Sequence, residues 1–384
     1  MIGRSFLAGF LLSAAVAHAA GRLAPVNDWV YVLQPGTAGA DPAALAATDF
    51  DLVVMDPSAD GSTPGEFPAA TIGALRSSGK IVLAYLSIGE AESYRSYFDP
   101  TWIDQPGSDP DAPAWLGPFN PLFPDNYKVR YWLPEWQALL FGSPAAALDR
   151  ILAQGFDGIY LDIVDAFDFW SDELPERTRA QARADMVALI AALAHHGRTV
   201  RGPEAPRFLV FPQNGDTIVT DDAGQLDGLG ACYLTTIDGI GVEDVFYNEL
   251  TLQPAAEITF RTGILAHYTA AGRTVLSVDY VWNSASPGVP ANAGRYGDFV
   301  ARATAAGFVP YAAQSDRDLD EILPVTVGGG ITVPQPRPDI VLFSDDFEAG
   351  NAALWSTTVG TAAATEHRRR ELALDCQAFR RPRP

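Results

Sequence analysis

The chain has 384 residues, of which 48% are hydrophobic, and a formal charge of −21. That is enough for one large domain with an appendage, and it excludes wholesale disorder. Residues 331–384 are charge-balanced, so residues 1–330 carry the whole −21; a body this acidic repels nucleic acid and anionic glycans, and suits a neutral or cationic partner.

At the start, Arg4 precedes an apolar run from Phe6 to Val16 and then Ala17-His18-Ala19. This reads as a secretory signal over residues 1–20, cut after Ala19 or Ala20. The run is too short to span a bilayer comfortably, and no later stretch is apolar and long enough to do so. An exported or periplasmic protein is therefore expected. Two cysteines, Cys232 and Cys376, are too few for a disulfide scaffold, and with scattered histidines they give no zinc pattern.

Strand-like runs then recur eight times: Trp29–Gln34, Leu52–Ser58, Lys80–Glu90, Gly158–Asp165, Arg207–Gly215, Gly239–Asp244, Thr274–Val281 and Phe308–Gln314. Helical segments are expected between them at Pro42–Thr48, Pro68–Ser78, Pro144–Gln154, Glu176–His196, Pro254–Ala271 and Gly294–Ala306. Several open at a proline after a small or acidic residue, and several close before a glycine, at Gly79, Gly155, Gly272 and Gly307. The alternation predicts an α/β fold, a (β/α)8 TIM-type barrel over residues 27–323. An open doubly wound sheet is the alternative, weakened because no Gly-rich phosphate loop follows any strand.

A long insert, Ala91–Gly142, interrupts the rhythm after the third strand. It is rich in proline and rings: Tyr94, Tyr97, Trp102, Trp115, Phe119, Tyr127, Tyr131, Trp132 and Trp136. Most of these are expected to form a small core and one or two to meet a ligand. Residues 324–338 read as a Gly- and Pro-containing linker, and residues 339–384 as a short cassette with a disordered end.

The strand ends carry the chemistry. Gly158-Ile-Tyr-Leu-Asp-Ile-Val-Asp165 is an apolar strand ending in acids, and Asp162 shares a face with Tyr160. By the same parity Glu243 goes with Gly241, Asp56 with Val54, and Asp279 with Ser277. All four acids are expected to point into the barrel mouth, where barrel active sites gather. Converging carboxylates without metal or nucleotide motifs suggest glycosidic bond cleavage, one carboxyl protonating the leaving oxygen and the other attacking the sugar or activating water. A cation site, or a hydrogen-bond network closing the barrel top, is the bland alternative.

Five stretches carry a resemblance. Val82-Leu-Ala-Tyr-Leu-Ser-Ile-Gly-Glu-Ala-Glu-Ser-Tyr-Arg95, Gly155-Phe-Asp-Gly-Ile-Tyr-Leu-Asp-Ile-Val-Asp165, Phe211-Pro-Gln-Asn-Gly215, Gly239-Ile-Gly-Val-Glu-Asp-Val-Phe-Tyr-Asn248 and Val278-Asp-Tyr-Val281 resemble glycoside hydrolase family 114, the endo-α-1,4-polygalactosaminidases. The resemblance implies a (β/α)8 barrel that hydrolyses α-1,4-linked galactosamine polymers, without cofactor or metal. It implies Asp162 as nucleophile or base and Glu243 as acid. Substrate contacts are expected from Asp56, Tyr85, Glu90, Asp165, Asn214, Asp279, Tyr280 and Trp282. One departure is visible: the family's second strand commonly ends Asp-Tyr-Ser, and here it is Asp56-Pro57-Ser58. The expected partner is a cationic galactosamine polysaccharide, drawn by its amines to Asp56, Glu90, Asp165 and Asp279. No nucleic acid and no transmembrane segment are expected, and the protein is expected to be a monomer. The same barrel acting on another α-linked glycan, and a carbohydrate-binding protein without cleavage, are the remaining alternatives.

Overall fold

The computed structural model describes residues 26–103, 111–203 and 205–323, and the backbone of a two-stranded hairpin at Val325–Val327 and Gly330–Thr332. The expected signal segment, and all of residues 339–384, lie outside the described residues. No helix among the described residues is long and apolar enough to cross a membrane.

All eight expected strands form. They are β1 (Trp29–Val32), β2 (Leu52–Met55), β3 (Ile81–Ser87), β4 (Gly158–Asp162), β5 (Leu209–Pro212), β6 (Gly239–Glu243), β7 (Thr274–Trp282) and β8 (Val309–Gln314). β1 to β5 pair in parallel in chain order, and β6, β7 and β8 form a second parallel sheet. A single parallel bridge, Gln213 to Gly241, links the two sheets, and the Asn214 N–H donates to the Gly241 carbonyl at 2.8 Å. On the far side the Trp29 indole donates to the Val309 carbonyl at 2.9 Å. A hydrogen-bonded ladder closing β8 on β1 is not seen among the described residues, so the sheet shown is parallel but not closed.

The principal helices between the strands are α1 (Pro42–Ala46), α2 (Ala69–Ser77), α3 (Ala147–Gln154), α4 (Arg179–Arg201), α5 (Gly228–Thr236), α6 (Ala255–Ala270) and α7 (Pro290–Ala305). Their ends follow capping chemistry. Asp41 accepts the N–H groups of Ala43 and Ala44 ahead of α1, and Gly155, at φ 89°, ends α3. A Thr178/Gln181 capping box opens α4. That helix runs past the expected stop at His196. Gly197 there serves close packing rather than termination, since a Cβ on it would lie 2.5 Å from the Phe208 ring; the helix ends at Gly202, φ 80°. Helix α5 was not expected, because its buried Gly-Leu-Gly-Ala-Cys-Tyr sequence carries no amphipathic period.

Rings fill the interior of the strand array. Trp29, Tyr31, Tyr160 and Tyr311 are buried, with Tyr31 and Tyr160 centroids 5.2 Å apart and Trp29 and Tyr311 5.8 Å apart. Burying each such ring contributes on the order of 2–3 kcal/mol. β6 makes room for them with two glycines on its inward face. A Cβ on Gly241 would lie 1.7 Å from the Tyr160 hydroxyl, and one on Gly239 would lie 2.1 Å from the Phe211 ring. An alanine at Gly241 therefore has no space without moving Tyr160.

The insert folds as an antiparallel sheet of Glu90–Glu92, Asn126–Val129 and Leu116–Phe119, followed by a helix at Pro134–Leu140. Trp115, Tyr131 and Trp136 are buried, and Trp102, Trp115 and Trp136 pack with centroids 5.0–5.2 Å apart. Most of the insert's rings thus form the expected small core. Tyr94 and Phe119 remain about half exposed, at 48% and 54%.

Candidate active site

Register brings the acids together. In parallel pairing, partnered residues share a face. Tyr85 pairs with Tyr160 and Ser87 with Asp162, so Tyr85 rises from β3 one pleat below Asp162. Gln213 pairs with Gly241, which puts Glu243 on the same inward face as Tyr160 and Asp162. Val278 pairs with Glu243, so Val278 and Tyr280 face inward from β7.

Asp162 is partly exposed. Its Oδ2 accepts from the Tyr85 hydroxyl at 2.7 Å and its Oδ1 from the Ile163 N–H at 2.8 Å. Glu243 is held by a reciprocal pair: Asn214 Nδ2 donates to Oε2 at 2.9 Å, and the Glu243 N–H donates to Asn214 Oδ1 at 3.0 Å. The Tyr280 hydroxyl donates to the remaining oxygen, Oε1. Behind the strand, Arg261 donates to the Glu243 carbonyl at 2.7 Å. Each carboxylate therefore has a phenol and an amide donor on separate oxygens.

Backbone strain marks the same places. Ile163, Asn214 and Asp244 have φ of 58°, 56° and 54°. A β-branched isoleucine is an outlier there, and such residues persist where surrounding structure dictates them. The Ile163 carbonyl lies where a Cβ on Gly89 would be, at 2.1 Å, so that turn also fixes Gly89 as glycine.

Burial first, and the neighbouring Glu243 charge second, push Asp162 up to about 8, against the opposing hydrogen bonds from Tyr85 and Ile163. Burial thus favours the protonated form of Asp162 in the free protein. If Asp162 must be anionic to react, kcat/KM rises with pH through about 8. Tyr85→Phe removes a donor that favours the anion, so the acidic limb of kcat/KM moves to higher pH and kcat falls about tenfold; a pH–rate series checks both.

The other expected contacts divide. Tyr85, Asn214 and Tyr280 join the two acids directly. Asp165 is exposed at the rim, where surrounding protein pushes it up to about 6 while Lys128 pulls the other way. Four other expected positions are buried, and the three acids among them are bound by internal partners. Asp56 is clamped by the Arg95 fork, at 3.1 and 2.6 Å, and accepts the Ser58 N–H. Glu90 is fully buried against Lys128 Nζ at 2.5 Å and the amides of Asn120 and Asn126. Trp282 is packed into the core. Asp279 shares a face with Ser277 as expected, but that face points away from Glu243, and Asp279 accepts the N–H groups of Val245, Phe246 and Tyr247 at 3.1, 2.9 and 2.8 Å. Its environment also pushes it up, to about 7, through burial. Four further residues were given no role from the sequence. Glu92, which accepts from the Tyr94 hydroxyl and Arg95 Nε, and Arg95 both lie in the first motif, so the signal was there; Arg261 and Arg317 lie in no motif and carried none.

Comparison with known proteins follows the same lines. Residues 12–329 match the model of glycoside-hydrolase family GH114. The chain belongs to GH114. A GH114 chain is a glycoside hydrolase, and the resemblance read from the five motifs is confirmed at that level. An uncharacterized protein of Thermotoga maritima is 35% identical over 319 residues, covering 83% of this chain and 89% of that one. Another, from Methanocaldococcus jannaschii, is 37% identical over 296 residues, 77% of each. Among solved structures, the glycoside hydrolase domain of PelA from Pseudomonas aeruginosa shares the fold, at a TM-score of 0.52 and 19% identity, over 77% of this chain and 96% of that one.

Proposed function

We propose that this chain is an exported, endo-acting hydrolase of α-1,4-linked galactosamine-containing polysaccharide, with Asp162 and Glu243 as its reacting carboxyls in the mouth of a (β/α)8 barrel. The observation that carries the reading is the pairing of these two acids. They are partly exposed and come from strands on the same inward face, the Glu243 charge helps to raise Asp162, and each is aimed by a tyrosine hydroxyl. The Gln213–Gly241 bridge and the Trp29–Val309 hydrogen bond support the barrel.

One carboxyl gives its proton to the glycosidic oxygen as the bond to the anomeric carbon breaks. The other attacks that carbon or takes a proton from the attacking water. Tyr85 and Tyr280 steady whichever carboxyl is anionic. An ammonium group entering the cleft favours ionisation of Asp162, which couples arrival of a cationic substrate to activation.

Fewer acids are open to an amine than expected. Asp56, Glu90 and Asp279 are satisfied internally, so local attraction of amines falls to Asp165 and the reacting pair, with the −21 field acting at longer range. Reducing-end release from a partly deacetylated α-1,4-galactosamine polymer tests the reading. New reducing ends are expected, fewer from the fully acetylated polymer, with a rate that falls several-fold between low salt and about 0.5 M. Binding without new ends would favour a carbohydrate-binding protein. Faster cleavage of the acetylated polymer would overturn the charge argument.

A further inference from the structure

The loop after β8 contributes a cation that no part of the motif set includes. Arg317 adopts φ 64°, and its Nη2 donates to Asp244 Oδ2 at 2.6 Å. The same guanidinium lies over the Tyr280 ring, its central carbon 4.1 Å from the centroid, within cation–π range. Both contacts are one step from Glu243: Tyr280 donates its hydroxyl to Glu243 Oε1, and Asp244 is the next residue along the chain. The loop itself is anchored, because the Leu319 carbonyl accepts the N–H groups of Leu33 and Gln34 at the end of β1, at 2.9 and 3.3 Å.

We propose that Arg317 is a positioning residue for Glu243. It clamps Asp244 and the Tyr280 ring together, and so fixes the direction from which the phenol meets the carboxylate. The charge balance around Glu243 shows why a cation is needed there. Asp162 and Tyr160 face it from β4, Asp165 from the rim, Tyr280 from β7 and Asp244 from its own strand end. Of the cations nearby, Arg261 is spent on the Glu243 carbonyl and on Asp216, and Lys128 acts on Asp165 and Glu90; Arg317 is the one that holds Asp244 and covers Tyr280. Asp244 Oδ1 is buried with no hydrogen-bond partner, so without Arg317 its carboxyl would be an uncompensated charge beside Glu243, or would take a proton. Planarity matters as well: a guanidinium can hold a carboxylate through one edge while its face covers a ring, and an ammonium cannot do both.

The inference rests on the hydrolase reading, so two independent readouts are used. In Arg317→Gln, kcat on the partly deacetylated galactosamine polymer is expected to fall about ten- to hundredfold with KM within about threefold. The acidic limb of the pH–rate profile is expected to move up by about one unit, because a positive charge has left a site of acids. Arg317→Lys is expected to return the profile to its wild-type position and recover kcat only in part. An unmoved limb, with a loss no greater than the drop in folded fraction by thermal melt, would overturn the inference. A crystal structure of Arg317→Gln decides it without reference to any substrate: a displaced Tyr280 hydroxyl supports positioning, and an intact Tyr280–Glu243 hydrogen bond contradicts it. Failure of the wild type to cleave the polymer would count against the proposed substrate alone.

Discussion

Asp162→Asn and Glu243→Gln are each expected to lower turnover of the galactosamine polymer by about 10²–10⁴-fold while leaving the fold intact. The second half of that expectation comes from the donors. Asp162 accepts from one fixed donor, the Ile163 N–H, and one rotatable donor, the Tyr85 hydroxyl. An asparagine can keep its oxygen toward Ile163 and donate its amide to the phenol, which turns to accept. Glu243 offers the same choice, with its oxygen toward Asn214 and a new amide toward Tyr280. Because burial already keeps Asp162 protonated up to about 8, the neutral substitute changes little at pH 7 except the proton that can be moved. Stability should therefore stay within about 1 kcal/mol of wild type. Thermal melts alongside reducing-end assays separate loss of chemistry from loss of fold. A variant that turns over at near-wild-type rate clears that residue of a reacting role.

The second large effect falls on stability. Asp279→Ala strips the acceptor from three buried backbone N–H groups in the segment after β6. Leaving a buried donor unmade costs about 1–3 kcal/mol, so a loss of at least about 3 kcal/mol is expected. In a domain of about 300 residues that lowers Tm by roughly 5 °C. Asp279→Asn should lose less, since one side-chain oxygen still accepts. If Asp279 instead met substrate, the alanine variant would melt like wild type and lose affinity alone, and denaturant unfolding beside KM measurements tells the two apart. Because Asp244, the Asp279-bound segment and Tyr280 all border Glu243, reduced activity is expected in Asp279→Ala as well, in proportion to how far that segment loosens.

The contrast between β4 or β6 and β7 explains what could be read from sequence. The eight strands announced themselves as short apolar runs between helix-capping residues. In β4 and β6 a polar or small residue, Tyr160 or Gly241, broke the apolar run on the side that carries the acid, so parity aimed Asp162 and Glu243 correctly. In β7 the same sign misled: Ser277 breaks the apolar run beside Asp279, but both faces of the strand are buried, so a polar residue does not mark the inward one. Its register with β8 also slips after Asp279, where three residues on β7 span two on β8. Only pairing with Glu243 reveals that Val278 and Tyr280 face the site while Asp279 faces away. The internal partners of Asp56 and Glu90 were hidden for a different reason. They come from the insert, as Arg95, Asn120, Asn126 and Lys128, and nothing in their spacing signals which strand end they will cover. Position in the sequence located the acids; only tertiary contacts separated those free to react from those already bound.

A crystal structure of Asp162→Asn soaked with an α-1,4-galactosamine oligosaccharide tests the central claim most directly. One sugar should lie between residues 162 and 243, with its glycosidic oxygen within hydrogen-bond reach of one side chain and its anomeric carbon facing the other. An oligosaccharide seated elsewhere on the protein, with that gap unfilled, would contradict the account.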